Sequence, residues 1–184
     1  AEASSRINLT GEGSGASAAP TFDNCPYPIT GFRNSALLIS GSKISNSEVS
    51  VRNILGGNVA LNDNNMVSSK STLDLRFSFS NFNLIANNKM TSTGMNDDAV
   101  IQSFNGSRPT LRILNNTLKA QNETGDGIEL INAGELRMTE NLFDLSSNGF
   151  DEATGADLQF VKGNVRCNTF TGKGNGKNIQ DGIE

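Results

Sequence analysis

The chain has 184 residues, 35% of them hydrophobic and 18% charged, and its 15 Lys plus Arg against 19 Asp plus Glu leave a formal charge of −4. That balance lacks the dense basic charge of a nucleic-acid groove, so no nucleic acid is expected as a partner, and no apolar run approaches the roughly 20 residues of a membrane-spanning helix. With His and Trp absent, a single Tyr, 19 Gly and abundant Asn, the composition fits one elongated domain with a small-aliphatic core that turns often.

Residues 1–34 read as an N-terminal cap segment. Ala1-Glu2-Ala3-Ser4 resembles the small-residue start of a processed, exported chain. Gly11-Glu12-Gly13-Ser14-Gly15 is a flexible stretch, and Phe22-Asp23-Asn24-Cys25-Pro26-Tyr27-Pro28 is compact enough to fold over whatever follows.

Over residues 35–184 the pattern apolar-x-apolar-x-x-Asn-x-apolar recurs. Its first copy runs from Leu37 to Ile44 with Ser42 in the Asn position, the second from Val59 to Met66 with Asn64, and the third from Asn83 to Met90 with Asn88. Then come Leu111 to Leu118 with Asn116, Leu136 to Phe143 with Asn141, and Gly163 to Phe170 with Asn168. The markers follow one another at 22, 24, 28, 25 and 27 residues, a drift expected where insertions map to loops. Between them a second apolar segment returns as Val49-Ser50-Val51, Leu73-Asp74-Leu75, Val100-Ile101, Ile128-Glu129-Leu130, Leu158-Gln159-Phe160 and finally Ile183.

These segments alternate with period two over a few residues, which makes them strands and excludes helical repeats of similar length. One coil cannot bury its apolar face alone, so coils must stack at ~4.8 Å and align like residues in columns. The phase predicts one column of Ile39, Leu61, Ile85, Ile113, Met138 and Val165, and another of Ile44, Met66, Met90, Leu118, Phe143 and Phe170. Asn64, Asn88, Asn116, Asn141 and Asn168 fall at one bend, where Asn tolerates the left-handed backbone and its amide can bond the amide one coil away. Arg112 and Arg137 share an outward place in consecutive coils and need acidic neighbours.

On these residues the chain resembles the right-handed parallel β-helix, or pectin-lyase-like, superfamily, most like its autotransporter-passenger or secreted-adhesin type. The resemblance covers about residues 35–184. It implies an all-β, right-handed parallel β-helix solenoid of about six coils with an Asn ladder. The superfamily also holds pectate lyases, polygalacturonases and phage tailspikes, so the likeness alone names no function.

The candidate binding residues are acidic and cluster around the second strand: Asp97 and Asp98, Asp126, Glu129, and Asp181. Asp98 and Asp126 are expected on neighbouring coils, where paired carboxylates would suit a Ca²⁺ site or a retaining-glycosidase pair, with Ala156 expected where Asp126 would align in the next coil. No other cofactor is implied. Set against catalysis, the Gly-His-Gly and Arg-x-Lys segments of the polygalacturonases have no counterpart, and a sole Tyr offers little stacking surface for sugars. In each Asp-Gly pair the plainer role is a turn, with Asp capping and Gly taking the unusual dihedrals. Outward positions Ser50, Asp74, Glu129, Gln159 and Glu184 are expected to form a polar stripe.

A long regular face with variable loops suits a non-catalytic scaffold for adhesion or binding, extracellular or at a cell surface, with a host surface glycan or protein as partner. The alternatives are a carbohydrate-active enzyme or its inactive relative, and a tailspike-like structural protein. Glu184 falls within a repeat, so the natural chain is expected to continue, and a membrane would be reached only through such a part. Cys25 precedes the first copy and Cys167 adjoins the sixth marker. They are expected to lie roughly 24 Å apart along the axis, too far for a disulfide.

Overall fold

The apolar segments of the repeat become short strands in the computed structural model, which describes residues 6–10, 19–33, 36–76, 82–93, 99–104, 110–121, 126–131, 134–146, 154–172 and 183. The first coil contributes β1 (Arg6–Thr10), β2 (Thr21–Asp23) and β3 (Ile29–Phe32). The second contributes β4 (Ala36–Ser40), β5 (Lys43–Ser47) and β6 (Val51–Ile54), and the third β7 (Val59–Asn62), β8 (Asn65–Ser68) and β9 (Leu73–Arg76). Next come β10 (Asn83–Ala86), β11 (Lys89–Ser92) and β12 (Ile101–Phe104), then β13 (Thr110–Leu114), β14 (Thr117–Gln121) and β15 (Ile128–Ile131). The series ends with β16 (Glu135–Thr139), β17 (Leu142–Ser146) and β18 (Ala156–Gln159), followed by β19 (Gly163–Arg166) and β20 (Thr169–Gly172).

Every third strand pairs in parallel, so the chain winds through three sheets. The first is β1-β4-β7-β10-β13-β16-β19, the second β2-β5-β8-β11-β14-β17-β20, and the third β18-β15-β12-β9-β6-β3. This is an all-β parallel solenoid, and no helix occurs among the described residues.

Both predicted columns lie in register. Ile39 stands opposite Leu61, and the series continues through Ile85, Ile113 and Met138 to Val165. Ile44 begins the other, which continues through Met66, Met90, Leu118 and Phe143 to Phe170. From Ile39 to Met138 and from Ile44 to Phe143 these side chains are essentially closed to solvent. Each contributes about 1.5–3 kcal/mol of burial free energy, which a single coil could not collect. The Phe143 and Phe170 rings stack at 4.6 Å. One polar residue, Asn83, enters a neighbouring aliphatic column. It is paid for by backbone partners, accepting from Val59 N–H at 3.0 Å and donating to Thr110 O at 3.1 Å.

The segment read as a cap holds the first coil itself. Leu9 pairs with Ile39, Phe22 with Ile44 and Ile29 with Val51, extending one column in each sheet. Its marker is hidden because Pro20, just before the Thr21 that pairs with Lys43, occupies the Asn position.

The ladder runs through the bend between the first and second sheets. Asn64 Oδ1 accepts from Ser42 N–H at 2.9 Å, and Asn88 Oδ1 accepts from both Asn64 N–H and Asn64 Nδ2 at 3.0 and 2.9 Å. The same doubled bond joins Asn88 to Asn116, Asn116 to Asn141 and Asn141 to Asn168. Each Nδ2 also donates to the carbonyl of the core column one coil back, from Ile39 for Asn64 to Met138 for Asn168.

One detail of the expectation is corrected. The left-handed residue of the bend is not the ladder Asn but the one before it: Gly41, Asp63, Asn87, Asn115, Glu140 and Cys167 have φ between 51° and 63°. The ladder residue keeps ordinary dihedrals and turns its amide inward. Ser42 replaces Asn where the ladder stops, since Pro20 in the preceding coil has no N–H for a further amide oxygen to accept.

Arg112 and Arg137 are neighbours in register, as expected. Arg137 pairs with Glu135 at 3.3 Å, while Arg112 lies over the Phe82 ring at 5.3 Å. Cys25 and Cys167 are both free and exposed, one in the first coil and one in the last.

Two carboxylates fasten the first coil to the next. Asp23 Oδ1 accepts from Ser45 Oγ at 2.7 Å and Asn46 Nδ2 at 2.8 Å, bonds that hold its carboxyl below the ordinary value. Glu48 is lowered by the bond from Tyr27 Oη at 2.8 Å and then by Lys70 Nζ at 3.0 Å. A carboxyl whose folded pKa is depressed contributes stability above its unfolded value, about 4, and loses that contribution as pH falls through the folded value. Protection of the amides in residues 19–33, taken relative to the intrinsic exchange rate at each pH, should therefore fall below about pH 4, before protection in the central coils does. In Asp23→Asn this early step should shrink; an unchanged profile would mean that the Asp23 bonds do not hold the coil.

Candidate binding face

Of the acidic residues that the sequence singles out, Glu129 lies in the third sheet and Asp126 just before its strand β15. Along its strands Val51, Leu73, Ile101 and Ile128 are buried in the core, so period two turns their successors to the other face. These successors form one column, Thr30, Arg52, Asp74, Gln102, Glu129 and Asp157, each opposite the next.

Asp74 and Glu129 thus share a stripe, as expected, but two other members are corrected. Ser50 lies buried, its Oγ 3.0 Å from Ser47 Oγ, and Gln159 stands one column further, opposite Ile131. Ala156 pairs with Ile128 and not with Asp126, two residues off the expected alignment.

For Asp74 the sequence predicts no more than a place in the polar stripe. Its side chain is fully buried although it faces outward, and Arg76 Nε holds its two oxygens at 3.1 and 2.8 Å. From the preceding coil Arg52 Nε lies 3.3 Å from Asp74 Oδ2, at ion-pair distance but without hydrogen-bond alignment, and its guanidinium sits 4.2 Å over the Tyr27 ring. A carboxylate shielded from water needs this pairing. The sequence signal was Asp74-x-Arg76, two residues apart on one strand face.

Asp126 precedes β15, and its Oδ1 accepts from Thr154 N–H of the next coil at 2.7 Å. Asp126 O accepts from Val100 N–H and Gly127 N–H donates to Thr154 O, so Asp126-Gly127 is wired to the coils on both sides. Glu129 and Asp157 lie side by side in register, and Gln159 Nε2 donates to Asp157 at 3.2 Å. Asp97, Asp98 and Asp181 lie outside the described residues. Among the described residues no three His, Cys, Asp or Glu side chains converge as a metal cage.

A cleft of about 260 Å³ opens elsewhere, at the corner between the second and third sheets, lined by Asn24, Asn46, Glu48, Ser69 and Thr93 among others. It belongs to the first four coils, whereas Asp126 and Glu129 stand in the fifth.

Fold and face together define a parallel β-solenoid with a mixed-charge polar column along its third sheet. Comparison with known proteins finds no matching family model, no similar curated protein and no similar solved structure.

Proposed function

We propose that the chain is a non-catalytic β-helix scaffold, secreted or displayed at a cell surface, that binds a partner such as a host surface glycan or protein through the outer face of its third sheet. The observation that carries this reading is the column from Arg52 to Asp157, polar groups repeated at ~4.8 Å on a rigid sheet. Within it Asp74 is committed to two arginines, and just before it on the chain Asp126 is committed to a backbone N–H, which suits structure and recognition better than proton transfer. The reading includes right-handed coils and kinship with the pectin-lyase-like superfamily, nearest to autotransporter passengers and secreted adhesins; the inward Asn column at one tight bend supports it.

Saturable binding of the purified chain to host cells or to one glycan class on an array, weakened at least about tenfold by combined Glu129→Gln and Asp157→Asn, is the expected result. Absence of saturable binding up to about 100 μM, a weak limit by the affinity scale, would overturn it. The register of Glu129 beside Asp157 favours a second reading, a carbohydrate-active enzyme. Neighbouring strands bring two carboxylates near the ~5 Å separation of retaining pairs. Turnover of a uronic-acid polymer that Glu129→Gln abolishes would put that reading in place of the scaffold.

A further inference from the structure

We propose that the cleft at the corner between the second and third sheets binds one neutral polyol ring. A sugar residue at the end of a glycan and a cyclitol share that chemistry. The site shares no residue with the polar column of the third sheet and does not depend on what that column binds.

A step in the stacking places the cleft. Ile44 pairs with Met66 and Ser47 with Ser68, so Ser45 and Asn46 of the second coil together oppose the single Val67 of the third. The extra residue makes a β-bulge, where Asn46 takes a left-handed φ of 52° that Asn tolerates. Asn24 has the same conformation, φ 53°, one residue after the Asp23 that pairs with Ser45. The left-handed Asn of the first two coils has no counterpart beside Val67, and the cleft is lined by Asn24 and Asn46 on one side of this step and by Val67 on the other. The turns that frame it, 24–28, 48–50 and 69–72, all belong to the described residues. Its volume of about 260 Å³ falls below that of a drug-sized pocket and suits one six-membered ring with its hydroxyls.

The walls are rich in acceptors. Asn46 Nδ2 donates to Asp23 Oδ1 at 2.8 Å and Asn24 Nδ2 to Asp23 Oδ2 at 3.0 Å, which turns each amide nitrogen to Asp23 and each amide oxygen away from it. Thr93 Oγ1 gives its proton to Ser68 O at 3.2 Å. Glu48 takes Tyr27 Oη at 2.8 Å and Lys70 Nζ at 3.0 Å on the same oxygen, Oε2, and so keeps Oε1 for the cleft. Ser69 adds an exposed hydroxyl. Such a lining selects a ligand that brings its own protons. A peptide fits it poorly, since each of its N–H groups comes with a carbonyl that needs a donor. A cation is not selected, because the charge of Glu48 is already answered by Lys70. A polyol brings several O–H donors without charge, and Pro26 and Val67 offer apolar flanks to the C–H face of its ring. The cleft is open to water, so the affinity belongs near about 1–10 mM on the affinity scale.

The test is amide chemical-shift mapping of the isotope-labelled chain during titration with methyl glucoside, methyl galactoside and myo-inositol, each to about 100 mM, tenfold above that range. Saturable shifts should gather at Asn24, Asn46, Glu48, Ser69 and Thr93, and the tightest probe names the source of the ring. Asn46→Gly keeps the left-handed bend and leaves Asp23 its bonds from Ser45 and Asn24, but it removes one amide oxygen. Binding should weaken about fivefold, the scale of one net hydrogen bond. Ser69→Phe fills the cleft from an exposed position and should abolish the shifts while the rest of the spectrum stays that of the folded parent. No saturation with any of the probes, or binding indifferent to both variants, would overturn the proposal. Shifts confined to the column from Arg52 to Asp157 would speak for that face and against the cleft. Methylammonium binding more tightly than every polyol would put a cation in the ring's place.

Discussion

Asn116→Ala is expected to cost about 3 to 5 kcal/mol, a large share of the 5–15 kcal/mol that holds an ordinary domain folded. The amide of Asn116 sits in the middle of the ladder, buried, with five polar partners, so one of its two N–H groups is shared between two acceptors. Its Oδ1 accepts from Asn88 N–H at 2.9 Å and Asn88 Nδ2 at 3.0 Å. Its Nδ2 donates to Ile85 O at 2.8 Å, Leu114 O at 3.0 Å and Asn141 Oδ1 at 3.0 Å. Truncation to Ala leaves two Asn88 donors facing a methyl group in a closed interior, and each orphaned group costs its desolvation, about 1–3 kcal/mol. Asn116→Asp should be no milder, since it keeps the acceptor but aims a carboxylate at two carbonyls and the Asn141 oxygen. The adjoining Asn115 supplies the control. Its side chain is exposed and gives one bond, to Asn87 Oδ1 at 2.9 Å, and its φ of 51° is one that Gly adopts freely. Asn115→Gly should stay within about 0.5 kcal/mol of the parent, as surface changes usually do. Denaturant unfolding of the three variants measures this; a loss under about 1 kcal/mol for Asn116→Ala would mean that the ladder amides are not desolvated.

The same ladder explains why so much of the fold was legible. An Asn that must meet its own kind one coil away repeats as a letter in the sequence, and the strand residues flanking it at fixed offsets, such as Ile85 and Met90 around Asn88, inherit its phase. Register in the first two sheets could therefore be read to the residue. The third sheet is reached only after loops of changing length: four residues separate Ser68 from Leu73 but three separate Ser47 from Val51. Phase is lost in crossing them, and Asp126 was accordingly set against Ala156 when its backbone partner is Thr154. The first coil was obscured by Pro20 at its ladder position, although the alternation of Ile7 and Leu9, with Phe22 one repeat of 22 residues before Ile44, was there to be read. The pairing of Asp74 with Arg52 and Arg76 joins side chains of two neighbouring strands, and period two says nothing of which outward charge is buried.

Gly127→Ala should destabilise the chain by about 3 kcal/mol or more, the upper range for forcing a group into a packed site, and far more than Asp126→Asn beside it. The glycine is not needed here for left-handed freedom. A Cβ at this position would stand 2.4 Å from Gly155 O and 2.5 Å from Phe143 Cδ1. The carbonyl cannot retreat without loosening the bond that Ile128 N–H makes to it at 3.1 Å. The ring cannot swing away without leaving its stack on Phe170, worth about 0.5–1.5 kcal/mol. Asp126→Asn, in contrast, keeps an oxygen for Thr154 N–H and should cost about 1 kcal/mol or less, the scale of one net hydrogen bond. This ranking separates two meanings of Asp-Gly in the repeat. If the pair is a turn that lets one coil settle on the next, stability falls with Gly127 and Asp126→Asn passes almost unnoticed, with or without Ca²⁺. If the carboxylate instead holds a cation, millimolar Ca²⁺ should raise the thermal midpoint of the parent and leave Asp126→Asn unmoved, because only the charged side chain binds a hard cation well.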